Sequence, residues 1–204
     1  GIRPTVMLWP DTFNNHNTPH VGIAAVEVLE ALGYRVVLPA KAACCGLTWH
    51  STGQLGIAKK ALAGSLTQLE PALESGWPIV VLEPSCRVML ADSADLFPGD
   101  SRAAKAAKLI VSLAEVVETH AAAGGTWPFA ELDASALAQV HCHQRAKEGY
   151  DADSAVLARL GVDDPLLGAV GNHGQGRTVQ GRNRHVSPSE AGQRRPVAGS
   201  TKRR

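Results

Sequence analysis

The sequence predicts an α/β fold in which a parallel β-sheet is flanked by helices. Short, continuous apolar runs alternate with longer segments whose apolar residues recur every three or four positions, the pattern of buried strands that alternate with amphipathic helices. Hydrophobic residues make up 45% of the 204 residues and aromatic residues only 4%. The core must therefore be built from Ala, Val, Leu and Ile, which suits a buried sheet covered by Ala-rich helices.

The individual elements follow from this alternation and from the residues that interrupt it. Strands are predicted over Thr5–Trp9, Arg35–Leu38, Pro78–Leu82 and Ala138–His141. Helices are predicted over Val21–Leu32, Gln54–Leu73, Lys105–His120 and Ala152–Leu160. Pro10 and Pro39 end the first two strands, Gly33 and Gly161 cap the first and last helices, and Pro71 is a weak point in the second helix.

The composition changes near Gly168, where Gly, Arg, Ser, Pro, Gln and His become dominant and no apolar period remains. Residues 1–167 carry a net charge of −6 and residues 168–204 a net charge of +7. We predict that residues 168–204 form a disordered basic tail. Because this tail lacks interleaved aromatic residues and a folded reader, we do not expect the protein to bind nucleic acid.

The cysteine content and the apolar runs limit the cellular location. Four cysteines in a chain of 204 residues do not form a disulfide scaffold, and no signal peptide is recognised, so we expect a cytoplasmic protein. The apolar run Ile79–Leu82 is far too short to span a bilayer. Direct membrane insertion is therefore not expected, and peripheral association with the inner face of the cell membrane would require a partner.

The most informative motif is Cys44-Cys45-Gly46, which is followed by Cys86 in a Leu-Glu-Pro-Ser-Cys segment and later by Cys142. Adjacent cysteines bridge poorly to each other but can direct two thiolates at one metal. A glycine after them lets the backbone approach a bulky inorganic core. The pattern favours a sulfur-ligated redox centre, most simply an iron–sulfur cluster. The alternative is that all four cysteines are small buried hydrophobic residues.

The polar candidates all follow predicted strands. Asp11 lies after the first strand, the Cys-Cys-Gly motif after the second, Glu83 and Cys86 after the third, and Cys142 after the last. Ligands gather at the carboxyl ends of strands in open α/β sheets, so these residues are expected to converge. Asp11 is either a ligand or a helix cap. Glu83 either adjusts the redox potential of the centre or moves a proton there, or it is simply solvated at the end of the strand.

At these motifs the chain resembles the cysteine-rich (CCG) domain family. That family includes a subunit of heterodisulfide reductase, the iron–sulfur subunits of glycolate oxidase and anaerobic glycerol-3-phosphate dehydrogenase, lactate-utilisation proteins, and the C-terminal region of fused FAD-linked D-lactate-type dehydrogenases. The resemblance is strongest to the fused enzymes and covers residues 5–162. It implies a 4Fe-4S cluster held by Cys44, Cys45 and Cys86, with Gly46, Glu83 and His50 beside it.

The resemblance also suggests the fourth ligand. Two modules of this family face each other, so Cys142 is the first choice; Asp11, at a position that the family often gives to cysteine, is the second. His141 and His143 are the third choice, although each is more simply a core residue or a hydrogen-bond donor to sulfur. His50 either donates such a bond or is an ordinary loop histidine.

The family pattern has two modules, and the second is incomplete here. Residues 1–136 correspond to the first module and residues 137–167 to the start of a second, whose Cys-Cys-Gly is absent. Gly/Arg-rich sequence stands in its place, as an out-of-frame translation of a GC-rich gene would produce. We therefore expect a truncated or frameshifted family member.

The function implied is electron transfer for a flavin-dependent D-2-hydroxy acid dehydrogenase, from flavin towards a respiratory acceptor. No flavin-binding signature is recognised, so FAD is expected on a flavoprotein subunit or on a missing N-terminal domain, and the chain is not expected to be active alone. The alternatives are a cysteine-ligated zinc site, a dithiol redox domain, or a non-functional fragment that acts only as an interaction module.

Overall fold

A four-stranded parallel sheet organises the fold. The structure is a computed structural model, and it describes residues 3–163. The strands are β1 (Thr5–Trp9), β2 (Arg35–Val37), β3 (Ile79–Val81) and β4 (Ile110–Val111). They pair in the order β2-β1-β3-β4, and every neighbouring pair is parallel. The predicted α/β class with a parallel sheet is thereby confirmed.

Ten helices connect and cover these strands in the described part of the chain. They are α1 (Thr12–His16), α2 (Pro19–Ala31), α3 (Leu47–Ser51), α4 (Leu55–Ser75), α5 (Pro84–Ala91), α6 (Ser93–Leu96), α7 (Ser101–Leu109), α8 (Leu113–Ala122), α9 (Cys142–Lys147) and α10 (Asp151–Arg159). A separate two-residue parallel pair joins β5 (Ala134–Ser135) to β6 (Val162–Asp163).

The sheet has an apolar layer on each face because side chains alternate along a strand. Val6, Leu8 and Val80 share one buried cluster with residues of α2 and α8. Met7, Trp9, Ile79 and Val81 share the other with residues of α4, α5 and α7, and this second cluster also contains Cys45. The Cys45 side chain of the Cys-Cys-Gly motif is therefore part of the larger core cluster.

The first three predicted strands and the helices α2, α4 and α10 are present in the structure. Pro71 does not end α4, which continues to Ser75 and stops at Gly76, a left-handed residue with φ of 70°. Glycine adopts this conformation without a Cβ penalty, so Gly76 ends the helix as a C-terminal cap.

The single helix predicted over Lys105–His120 is wrong. It is two helices, α7 and α8, separated by the strand β4. The apolar positions of β4 fit a helical period equally well, which conceals the break. Ser112 marks the new start, because its hydroxyl accepts from the Glu115 backbone N–H while the Glu115 carboxylate accepts from the Ser112 N–H.

The strand predicted over Ala138–His141 is also wrong. No strand is assigned there; the nearest are the short β5 and β6. His141 is the N-cap of α9, and Cys142 is the first residue of that helix. Cys142 therefore does not follow a strand end, unlike Asp11, Cys45 and Cys86.

Two other sequence expectations concern the membrane and the tail. Within residues 3–163, none of the helices combines the length and the apolar composition that crossing a bilayer requires. The predicted disordered basic tail, residues 168–204, lies outside the described residues.

Candidate metal centre

The carboxyl end of the sheet brings together the thiols of Cys45 and Cys86. Cys45 comes from the connection after β2, Cys86 from the first turn of α5 after β3, and their Sγ atoms are 3.1 Å apart. Cys44 precedes Cys45 and interacts with its thiol. All are free cysteines, Cys45 being buried and the other two half-buried. The structure therefore brings together the Cys-Cys-Gly motif and Cys86, which are two of the four groups that were expected to converge.

The Cys-Cys-Gly loop is fastened to α4. The Ser65 hydroxyl donates to the Cys44 carbonyl at 2.8 Å, and Ser65 itself is buried. Gly46 has a φ of 84°, and a Cβ placed there would lie 2.9 Å from the Ala58 carbonyl oxygen. Gly46 is thus required for a left-handed turn and for close approach to a helix backbone, which fixes the direction in which the two thiols point.

Glu83 and Pro84 position Cys86 through the start of α5. Glu83 is the N-cap, and its Oε2 accepts from the Cys86 backbone N–H at 2.6 Å. Pro84 occupies the first helical position, where its missing N–H costs nothing. The Glu83 side chain therefore acts on Cys86 through the backbone of Cys86, and its charge also lies close enough to disfavour thiolate formation.

The pKa values of the Cys45 and Cys86 thiols are shifted in opposite directions. A hydrogen bond from Cys86 lowers the pKa of the Cys45 thiol, and this effect outweighs burial; the Leu47 N–H and the Cys44 thiol lower it further. The same hydrogen bond with Cys45, together with burial, raises the pKa of Cys86 far above its ordinary value. The shared hydrogen bond therefore favours the thiolate form of Cys45 and disfavours that of Cys86.

The Asp11 carboxylate is buried and acts as the N-cap of α1. Its Oδ1 accepts from the backbone N–H groups of Phe13 and Asn14, each at 3.0 Å, and its Oδ2 accepts from the Asn14 side chain at 2.5 Å. His50 lies in the last turn of α3 with an exposed side chain. Asp11 precedes the Cys-Cys-Gly motif and His50 lies between Cys45 and Cys86 along the chain. The hydrogen bonds of the Asp11 carboxylate go to the first turn of its own helix.

Cys142 belongs to a different group of donors. One ligand atom from each of His141, Cys142 and His143 lies within 4.8 Å of the other two, and Cys142 is exposed. The group adjoins the thiol pair through one contact, in which Nε2 of His141 lies 3.2 Å from the hydroxyl of the buried Ser85. Ser85 immediately precedes Cys86, so it links the two groups of donors.

An ion-pair network beside Cys86 was not predicted from the sequence. The Arg87 guanidinium pairs with Glu115 at 2.8 Å and also with Glu148, and its side chain is only 11% exposed. Burial raises the pKa of Glu148 even though Arg87 opposes this. The capping-box pattern at Ser112 could have located Glu115, but no local pattern reports a pair between residues 61 positions apart.

The residues present fit a sulfur-ligated metal group. Thiolates are the donors that iron–sulfur clusters and zinc select, and here they lie against an apolar core. The indole Nε1 of Trp9, in the same core cluster as Cys45, is buried without a hydrogen-bond acceptor in the described part of the protein. Buried N–H donors are the type of group that hydrogen-bonds to the sulfur of a metal centre, so an unpaired donor in this core cluster is compatible with a sulfur-ligated group.

Comparison with known proteins identifies similar chains. Lactate utilization protein A of Macrococcus caseolyticus is 34% identical over 125 residues, covering 60% of this chain and 49% of that protein. The protein of the same name from an Exiguobacterium species is 30% identical over 171 residues, covering 80% and 66%. That from Bacillus velezensis is 31% identical over 156 residues, covering 76% and 64%. The chain thus matches about half to two thirds of the length of these relatives.

The family comparison covers the thiol centre. The cysteine-rich domain, CCG, matches residues 11–91, from the N-cap of α1 to the last residue of α5. This segment includes Asp11, Cys44, Cys45 and Cys86 but not Cys142. On the matched motifs, and on the contact between the Cys-Cys-Gly motif and Cys86 at one end of the sheet, residues 11–91 of the chain are a cysteine-rich (CCG) domain.

Proposed function

We propose that this chain is an iron–sulfur electron-transfer module of lactate utilization, with Cys44, Cys45 and Cys86 as ligands of a 4Fe-4S cluster. The observation that carries the proposal is the convergence of these thiols, two of which have sulfur atoms 3.1 Å apart although 41 residues separate them along the chain. Bound there, the cluster would supply one-electron redox chemistry.

The surrounding residues supply a rigid, partly dry site for such a group. Cys45 is 4% exposed and belongs to the large apolar core, which keeps water from one side of the thiols. Gly46 and Ser65 fix the first loop on α4, whereas Glu83 fixes the backbone of Cys86. Because both thiol-bearing segments are held by contacts that do not involve the metal, the site is preorganised for binding.

The names of the relatives support lactate as the substrate of the wider system. Hydroxy acid oxidation releases two electrons as a hydride, whereas iron–sulfur centres accept single electrons, so a flavin is the usual intermediary. We assign FAD to a flavoprotein subunit or to an additional domain. We assign to this chain the transfer of electrons from that flavin towards a respiratory acceptor. The corresponding location is the cytoplasm, at the inner face of the membrane when the protein is bound to its partner.

A second candidate is a dithiol redox or zinc site, because the close contact between the Cys45 and Cys86 thiols suits either. A dithiol needs only these two sulfur atoms, and zinc would be bound tetrahedrally without redox activity. A chain that binds no metal and only docks to a partner is the third. Metal content and colour distinguish an iron–sulfur protein, a zinc protein and a metal-free protein.

The test is anaerobic reconstitution of the full chain with iron and sulfide, followed by iron and sulfide analysis and EPR. We expect a brown protein with broad visible absorption, and we expect Cys45→Ser and Cys86→Ser each to lose most of the iron while circular dichroism is retained. Thr48→Ser, an exposed change two residues beyond the Cys-Cys-Gly motif, is the matched control and should keep its iron.

Two outcomes would overturn the assignment. Iron content that is unchanged in both cysteine variants would remove these thiols from the site. A colourless wild-type protein that binds zinc stoichiometrically and takes up no iron would favour the second candidate instead.

A further inference from the structure

We propose that His141, Cys142 and His143 form a second metal site, for a divalent transition ion of the Zn²⁺ type, separate from the Cys44–Cys45–Cys86 centre. The observation is geometric: one nitrogen from each imidazole and the Cys142 sulfur lie within 4.8 Å of one another. Donor atoms of one tetrahedral zinc ion are separated by less than this distance, so small side-chain movements would bring all three into coordination. This inference does not depend on the proposed function.

The donor chemistry selects the class of ion. Imidazole nitrogen and thiolate sulfur together suit zinc and its neighbours in the first transition row, whereas the all-thiolate group at Cys45 suits iron–sulfur chemistry. Cys142 is exposed, whereas Cys45 is buried. Three protein donors at the surface leave a fourth position for water, so we expect an ion that exchanges with solution.

Ser85, in the first turn of α5, supports this site. The His141 Nε2 lies 3.2 Å from the Ser85 hydroxyl, which is buried and can accept the Nε2 proton. That tautomer leaves Nδ1 without a proton and facing the His143 segment, where it accepts the His143 backbone N–H at 3.3 Å. This hydrogen bond is long, and an ion at Nδ1 would replace it, while Ser85 holds the ring in the orientation that ligation needs.

The two centres would be neighbours rather than one site. Ser85 directly precedes Cys86 in the first turn of α5, and α9 is tied to α5 by the Lys147–Asp92 pair at 3.0 Å and by the pair of Arg87 with Glu148. An ion on α9 would therefore share a structural support with the Cys86 thiol. Cys142 would then belong with the histidines instead of with the fourth position of the cluster.

The test uses a full-length variant in which Cys44, Cys45 and Cys86 are all replaced by Ser, so that Cys142 is the one cysteine left of four. The variant is titrated anaerobically with Co²⁺, and zinc affinity is measured by competition. We expect one equivalent of Co²⁺ with a near-ultraviolet thiolate charge-transfer band and tetrahedral visible bands. Adding Cys142→Ser should abolish the charge-transfer band, and Ser85→Ala should weaken binding roughly 10–100-fold.

A histidine outside the group provides the matched control. His20 is exposed on α2, and His20→Gln should leave the cobalt spectrum and the affinity unchanged, whereas His143→Gln should weaken binding strongly. If the triple variant does not fold, the same cobalt spectra are recorded on the metal-free wild-type chain as a difference against Cys142→Ser.

Cobalt that binds without a thiolate band, or no binding at micromolar metal, would overturn the proposal. A loss of cluster iron in Cys142→Ser would also overturn it, because Cys142 would then be a cluster ligand. Failure of iron reconstitution in the wild-type chain contradicts only the proposed function, so the two ideas fail separately.

Discussion

At the scale of single residues, each conspicuous residue of the Cys-Cys-Gly and Glu-Pro-Ser-Cys motifs has a local structural task. Gly46 turns the chain and touches α4, Glu83 caps α5, and Asp11 caps α1. From the sequence, Gly46 was expected to make room for a cofactor, but the close neighbour is the Ala58 carbonyl. Such a contact depends on tertiary packing, so a motif alone does not reveal it.

We expect Gly46→Ala to lower the free energy of unfolding by about 2–5 kcal/mol. About 1–2 kcal/mol comes from placing a Cβ in the left-handed region, and about 1–3 kcal/mol comes from overlap with the Ala58 carbonyl. Urea denaturation of the metal-free chain measures the loss.

Gly53→Ala is the matched control for that change. Gly53 has a similar φ of 79° but no atom within 4 Å of its Cβ position. The control should therefore lose only about 1–2 kcal/mol. Equal losses in the two variants would show that the contact with α4 has no energetic weight.

At the scale of elements, the order of strands and long helices was predictable, whereas the short elements were not. The continuous apolar runs of β1 and β3 and the periodic face of α4 are strong signals. By contrast, β4 is two residues long and is defined by its pairing with β3, which no local window contains. The start of helix α5 is marked in the sequence by Glu83 at the N-cap and by Pro84 at the first helical position.

The Arg87 network is a mostly buried electrostatic link between elements, since it joins α5 to Glu115 of α8 and to Glu148 after α9. We expect Arg87→Met to destabilise the protein by about 3 kcal/mol, because removal of one partner leaves a mostly buried carboxylate unpaired. The double variant with Glu148→Leu should recover part of this loss. Thermal and urea unfolding provide the measurement.

Arg102 is a suitable comparison for Arg87, because it is also an arginine paired with two carboxylates. It pairs with Glu70 at 2.9 Å and with Asp100 at 2.8 Å, but its side chain is 38% exposed. Arg102→Met should therefore cost at most about 1 kcal/mol. A loss at Arg102 as large as that at Arg87 would show that burial is not what makes the Arg87 network important.

At the scale of the whole molecule, the order β2-β1-β3-β4 explains why the three cysteines meet. The chain moves from β1 outward to β2, then crosses back to β3 on the other side of β1. The connections that leave β2 and β3 therefore converge above the central strand, as ligand sites do in open parallel sheets. This convergence was predictable from strand ends alone, whereas Cys142 was misplaced because its expected strand does not exist.

The proposed function makes a prediction about activity. We expect no oxidation of D-lactate or glycolate with an artificial dye by the pure chain, even with added FAD, because its proposed role begins after hydride transfer. Addition of a flavoprotein partner should produce turnover that depends on Cys45. Steady turnover by the flavin-supplemented chain alone would contradict the need for a partner.

The separation of 41 positions between Cys45 and Cys86 along the chain has a consequence for how the protein matures. A metal group that joins these residues closes a long loop, and loop closure of this length removes about 4 kcal/mol of chain entropy from the unfolded state if the disulfide relation applies. In the structure the thiols meet where the connections after β2 and β3 leave the paired strands. We therefore expect a metal group loaded on the folded sheet to slow unfolding, because it ties these two connections together.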